Sequence, residues 1–223
     1  MNNSKLIITR TPFRISFFGG GTDFPEYFNN HNGAVLGTTI DKYCYVTINS
    51  LERLFDKRIR LSYSKMETAT HIKDIKDNYF RTILMNNINL YKNDYLDIHT
   101  YADLPASTGL GSSSTFIIGM LNALYSLKGI YKSPKDLANE AIKIERVDLK
   151  EKGGWQDQIF ASVGGFNCIH FNSNDFLIEP LPIKNIVLEQ IENSSMLFFT
   201  NMKRSSDSIQ RKVMEKRNKN NRE

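Results

Sequence analysis

Apolar and polar positions alternate through residues 5–18, where Leu6-Ile7-Ile8 is followed by Phe13-Arg14-Ile15-Ser16-Phe17-Phe18. This pattern predicts strands interrupted at Pro12. Gly19-Gly20-Gly21 then breaks regular structure. Residues 34–49 (AVLGTTIDKYCYVTIN) are rich in β-branched and aromatic side chains and predict paired strands, and the alternation from Arg58 to Tyr63 predicts an amphipathic strand. Tyr79, Phe80, Ile83, Leu84, Ile88 and Tyr91 recur at helical spacing, which predicts a helix over 76–92. Tyr95 to Tyr101 reads as a strand running into Asp103-Leu104-Pro105.

Further along, Phe116, Ile117, Met120, Leu121, Leu124 and Leu127 mark one face of a helix starting near Ser112 and ending at Gly129, a residue type suited to the left-handed turn after a helix. Ser133-Pro134-Lys135-Asp136 is an N-cap with proline at the first helical position and an acid at the third. The helix it opens carries Leu137, Ala138, Ala141, Ile142 and Ile144 to about Val147. Residues 166–171, 176–181 and 195–200 predict strands, and Ser205 to Lys216 a last helix. Strands and helices mix without regular βαβ alternation, so the class is α+β.

Composition changes this picture little. The 223 residues, 40% hydrophobic and 24% charged, suit a soluble globular chain of one large domain or one domain plus part of a second. No apolar run is long enough to cross a bilayer, and the first ten residues lack a signal-peptide pattern, so a cytoplasmic location without membrane association is expected. Cys44 and Cys168 show no metal-type spacing and are expected to be buried reduced thiols. The net charge of +5 raises the question of nucleic acid, but much of the excess lies in the last twenty residues and no basic stripe with interleaved aromatics occurs; no nucleic-acid partner is expected.

The most informative stretch is Leu104-Pro105-Ala106-Ser107-Thr108-Gly109-Leu110-Gly111-Ser112-Ser113-Ser114. It leaves a predicted strand, concentrates glycines and hydroxyls, and runs into an apolar helix. Glycines let backbone N–H groups turn inward, and a helix N-terminus adds unpaired donors and a positive dipole end. Together these make an anion cradle, although a flexible turn with a serine N-cap has the same spacing. A Walker A loop is excluded, because no Gly-Lys-Ser/Thr follows. A second stretch, Gly153-Gly154-Trp155-Gln156-Asp157-Gln158, places Asp157 after a chain break suited to projecting a carboxylate into a cleft.

LPASTGLGSSS resembles the second motif of the GHMP kinases, usually P-x-x-x-G-L-G-S-S-A, with Ser114 where alanine is usual. The resemblance implies that Gly109, Leu110, Gly111, Ser112, Ser113 and Ser114 wrap the ATP phosphates, with Ser113 on Mg²⁺. Thr11-Pro12-Phe13-Arg14-Ile15-Ser16-Phe17-Phe18-Gly19-Gly20-Gly21-Thr22-Asp23-Phe24 resembles the family's first motif, with Gly20-Gly21 where galactokinases carry Glu-His. That departure is similar to the subgroup holding the heptose 7-phosphate kinases and, more distantly, fucokinase. It implies a sugar site formed by Arg14, Gly20, Gly21, Thr22, Asp23 and Asp157. Asp157 matches the aspartate taken as the base in galactokinase-like members, with Arg14 beside it. Glu145 stands where mevalonate kinases bind Mg²⁺.

The resemblance implies a two-domain GHMP kinase fold, with a ribosomal-protein-S5-like N-terminal domain over 1–175 and the start of a ferredoxin-like C-terminal domain over 176–223. The family's third glycine-rich motif is absent from the sequence. The second domain is therefore expected to be incomplete, with a missing C-terminal half or a homo-oligomer as possible completion. The implied activity is ATP- and Mg²⁺-dependent phosphorylation of the anomeric hydroxyl of D-glycero-D-manno-heptose 7-phosphate, for nucleotide-activated heptose and surface polysaccharide. Another GHMP sugar kinase, fucokinase- or galactokinase-like, and an inactive fragment that only binds ligand or a partner are the alternatives. Lys203 and Arg204 are candidates for the substrate's own phosphate by charge alone.

Overall fold

The computed structural model describes residues 6–51, 57–91, 94–106, 108–173 and 175–198. Seven strands form one sheet: β1 (Leu6–Phe18), β2 (Gly33–Leu51), β3 (Ile59–Ser62), β4 (Met66–Ala69), β5 (Tyr95–Ala102), β6 (Phe166–Asn172) and β7 (Asp175–Pro180). Its order is β4-β3-β5-β2-β6-β7, with β1 also on β2 and only the β3–β5 pair parallel. The helices are α1 (Pro25–Phe28), α2 (Asn78–Asn86), α3 (Ile88–Tyr91), α4 (Ser112–Leu127), α5 (Pro134–Lys143), α6 (Gln156–Val163) and α7 (Asn185–Asn193). The α+β class read from the sequence holds.

Several elements differ in detail from the sequence reading. β1 is continuous through Pro12; its pairing shifts register there, from Pro12 opposite Tyr43 to Arg14 opposite Thr39. Residues 34–49 form part of one long strand and not two paired ones. β2 is long because it pairs β1 along its length, β6 through its first residues and β5 through its last. The helix expected over 76–92 breaks at Asn87, whose buried side-chain amide donates to the Ile83 carbonyl. Asp77 caps its start by accepting from the Phe80 amide at 3.1 Å. The helix after Ser133 has the expected capping box with Asp136, but residues Ile144–Asp148 open into a π-helical turn. Residues 195–198 are irregular instead of extended, and 199–200, Lys203, Arg204 and the helix expected over 205–216 lie outside the described residues.

α4 is apolar nearly all round and is buried accordingly. It packs on β1 and β2 through Ile117, Met120, Leu121 and Leu124, with Val46 and Ile48 beneath. Gly119 permits close approach to the sheet: an added Cβ would stand 2.8 Å from Thr11 Oγ1, and the Thr9 hydroxyl donates to the Gly119 carbonyl at 2.9 Å. A second cluster, including Phe28, Val35, Phe160, Ile169 and Phe171, seats α5 and α6 against β6 and β7. Of the cysteines, Cys44 is buried and Cys168 is half-buried; both are free thiols.

Candidate active site

A cleft of about 750 Å³ opens between the start of α4, the π turn and the start of α6. The end of the glycine–serine loop borders it: Gly109, Leu110 and Gly111 stand just outside the lining, and the serines that follow enter it. Gly109 and Gly111 adopt φ of +77° and +83°, the left-handed region that glycine enters without strain. Gly111 is the N-cap of α4, and no side chain caps that helix, so the N–H groups of its first turn are left to the cleft. Ser112, Ser113 and Ser114 line it. Ser107 lies outside the described residues.

Arg14 reaches this loop from β1. The register shift after Pro12 buries Phe13 and turns the next side chain toward the cleft, as bulges beside active sites do. Arg14 donates to Asp157 Oδ1 from Nε at 2.8 Å and Nη2 at 2.6 Å, and to the Gly109 carbonyl from Nη1 at 2.9 Å. Asp157 sits in the first turn of α6. A methyl group at Gly111 would stand 3.4 Å from its carboxylate, so phosphate loop and carboxylate are adjacent.

Asp23 and Glu145 complete the group from below. Asp23 is buried and accepts from the Gly21 amide at 2.9 Å and the Gln156 amide at 3.3 Å. Burial, and then the charge of Asp157, push its carboxyl above the usual range. Gly154 makes room for it: an added Cβ would stand 1.8 Å from Asp23 Oδ2. Gly20, Gly21 and Thr22 build the turn that presents Asp23, and the Thr22 hydroxyl is spent on the Gly19 and Ala34 carbonyls; of that set only Asp23 lines the cleft. Glu145, in the π turn, accepts from the Ser114 hydroxyl at 2.7 Å and from the Gln158 side-chain amide, and also bonds the Ser113 hydroxyl. Burial raises its carboxyl to about 7 against these hydrogen bonds, which lower it, with Asp157's charge adding to the rise.

Sequence reasoning named these residues but not their supports. Gln158 holds Glu145, and Tyr79 donates to Glu151 while also bonding the Ser113 side chain. Gln158 stands next to Asp157 in the quoted motif, so a signal for it was available. Tyr79 had none, being one of several aromatics at helical spacing. Glu145 itself lies four residues after Ala141 and three after Ile142, continuing the buried face of α5 into the π turn, a position where a glutamate needs an explanation.

The cleft fits a cation together with an anion. Its charged lining is five carboxylates (Asp23, Asp77, Glu145, Glu151 and Asp157) against one guanidinium, Arg14, among the described residues. Among the described residues, the buried side-chain oxygens of Gln156 and Gln158, both of which line the cleft, have no hydrogen-bond partner. Glu145 with Ser113 offers oxygen ligands of the kind Mg²⁺ takes, beside a helix N-terminus of the kind phosphates take.

Residues 78–165 match the GHMP kinases N terminal domain. A crystal structure from Campylobacter jejuni, provisionally named a sugar kinase, superposes with a TM-score of 0.76 at 32% identity, over 91% of this chain and 67% of that one. The chain belongs to the GHMP kinase family. It is also 35% identical to the D-glycero-alpha-D-manno-heptose 7-phosphate kinase of C. jejuni across 213 residues, 92% of this chain and 63% of that protein. The structure of a D-glycero-D-manno-heptose 1-phosphate kinase from Bacteroides thetaiotaomicron superposes with a TM-score of 0.78 at 28% identity, covering 85% of this chain and 64% of the other. The chain thus spans just under two thirds of the length of these two GHMP relatives. No helix among the described residues is long and apolar enough to cross a membrane.

Proposed function

We propose that this chain carries the donor and base halves of an ATP-dependent cytoplasmic kinase that phosphorylates the anomeric hydroxyl of a heptose 7-phosphate. The observation that supports this reading most is the contact between cradle and base. Arg14 ties the Asp157 carboxylate to the Gly109 carbonyl, and Gly111 lies against the same carboxylate. A hydroxyl bonded to Asp157 is therefore next to any phosphate held at the start of α4, the proximity that phosphoryl transfer requires.

ATP with Mg²⁺, when bound, supplies the phosphoryl group and the charge neutralisation that its transfer needs. The residues that would hold them are the Gly109–Ser114 backbone for the phosphates and Ser113 with Glu145 for the metal. Asp157 takes the proton from the attacking hydroxyl. Arg14 orients that carboxylate through its two contacts to Oδ1 and stabilises charge that develops beside it. Asp23, raised on the turn after β1, orients sugar hydroxyls.

The choice of heptose over galactose rests on Gly20-Gly21, where galactokinases carry Glu-His, in the turn that presents Asp23 to the cleft. The two named heptose kinases support the sugar, though their names place the phosphate differently, at position 7 in one and position 1 in the other. The deciding experiment is ATP turnover by the purified chain with Mg²⁺, comparing heptose 7-phosphate, heptose 1-phosphate, mannose, fucose and galactose. Turnover confined to the 7-phosphate is expected. Turnover with fucose or galactose instead would move the chain to another sugar. Nucleotide binding without any turnover would mean that this length of chain binds ligand but does not catalyse.

A further inference from the structure

Away from the cleft, the hairpin β6–β7 gathers a second group of chemistry-bearing side chains. Along β6, Asn167, Ile169 and Phe171 are buried, while Cys168 and His170 point to the opposite, more exposed face, as period-two alternation requires. Glu179 lies opposite Cys168 on β7, and its carboxylate reaches diagonally to His170 Nε2 at 3.0 Å. One ligand atom from each of Cys168, His170 and Glu179 lies within 4.8 Å of the others. None of the three lines the cleft.

We infer that Cys168, His170 and Glu179 form a binding site for a divalent late first-row transition ion, with Zn²⁺ the best match. A thiolate, an imidazole and a carboxylate are the donor types that Zn²⁺ accepts, at about 2.0–2.3 Å, and three such ligands leave a fourth position for water. The spacing is fixed by backbone: two ligands come from alternate positions of one strand and the third from the register partner on the next. Closing the group needs only side-chain rotation, since the His170–Glu179 bond already brings two donors to 3.0 Å. On binding, the Cys168 thiol gives its proton to solvent and the thiolate coordinates. The ion then pins β7 to β6 across a sheet position where the neighbouring Leu177 is exposed.

Co²⁺ titration of the full chain, under reducing conditions and without chelator, tests this. The site predicts a thiolate-to-cobalt charge-transfer band together with the intense visible bands of tetrahedral Co²⁺. Cys168→Ser should abolish the charge-transfer band and Cys44→Ser should keep it. His170→Ala and Glu179→Gln should each weaken Co²⁺ binding about tenfold or more. Excess Zn²⁺ should displace the cobalt and raise Tm by about 5–10 °C in the unaltered chain but not in Cys168→Ser. The inference is overturned if no charge-transfer band forms, if the band follows Cys44, or if His170→Ala and Glu179→Gln bind Co²⁺ as tightly as the unaltered chain.

Discussion

Two buried carboxylates in this molecule are stabilised in opposite ways. Asp97, on β5, is buried, which by itself would raise its pKa. Hydrogen bonds from Arg60 at 2.7 and 2.5 Å and from His99 at 3.0 Å, with their charges, outweigh that and lower it. Glu145, at the cleft, is as little exposed and lies deeper among protein atoms, with hydroxyls and an amide around it in place of a cation, and its carboxyl is raised to about 7. The paired acid is complete within the protein. Among the described residues the unpaired one has no cationic partner, and the cleft lining, Glu145 included, carries five carboxylates against one arginine. A buried acid left without a cation, beside a helix N-terminus without a cap, has the electrostatics of a place for a metal ion and a polyanion together.

The largest expected effect comes from the acid whose charge bears on the unpaired region. Asp157→Asn should cut phosphoryl transfer by about 10²–10⁴-fold in single-turnover assays while nucleotide affinity stays within a few fold. It should also lower the pKa of Glu145, because the charge of Asp157 is one of the causes of its rise. Full activity of this variant would remove Asp157 from the role of base.

Glu145→Gln tests the missing-cation argument directly. The unfolded chain loses the Glu145 proton near its ordinary value of 4.5 and the folded chain near 7. Between those values the unfolded state binds fewer protons, so stability falls as pH rises and the loss is complete above about 7. The rise corresponds to a cost on the order of 3 kcal/mol for the ionised side chain. Without ligand, Glu145→Gln should therefore be more stable than the native chain at pH 8 by about 1–3 kcal/mol, with the gap closing by pH 5 in urea titrations. Mg²⁺-dependent nucleotide binding should be lost in the same variant, and in the native chain should weaken as pH falls below about 7.

Asp97→Asn should behave in the opposite sense, destabilising at pH 8 by about 1–2 kcal/mol, below the usual cost of a broken buried pair because Arg60 is 40% exposed. A stabilised Asp97→Asn chain would erase the contrast between the two acids. The smallest change is Ser114→Ala, which removes one hydroxyl from Glu145 and should cost about 1 kcal/mol in thermal or urea unfolding while raising the Glu145 pKa further.

Much of this contrast was legible in the sequence, and the reasons for the rest are physical. The loop at 104–114, the helix from Ser112 and the capping box at Ser133 depend on neighbours close in sequence, so glycine, serine and apolar spacing disclosed them. Arg14, Asp23 and Asp157 were found through their motifs, yet their juxtaposition depends on a register shift in β1 and on Gly154, whose effect shows only once distant chain segments meet. The π turn at 144–148 has the apolar pattern of an ordinary helix, so periodicity could not distinguish it. β2 looked like two strands because nineteen residues exceed the usual strand length, and only its three partners explain its extent.

That long strand has a consequence for how the molecule comes apart. β1, the β5 side of the sheet and the β6–β7 hairpin are each hydrogen-bonded to β2, so its register is a shared reference for the arginine of the first, the loop after the second and the ligand trio of the third. Over residues 44–49, where β1 and β5 flank it on both edges, few of its amides can be released by a local fluctuation without opening both neighbours. Val46 and Ile48 should therefore exchange their amide hydrogens at the slowest rates in the protein, as reporters of whole-domain opening.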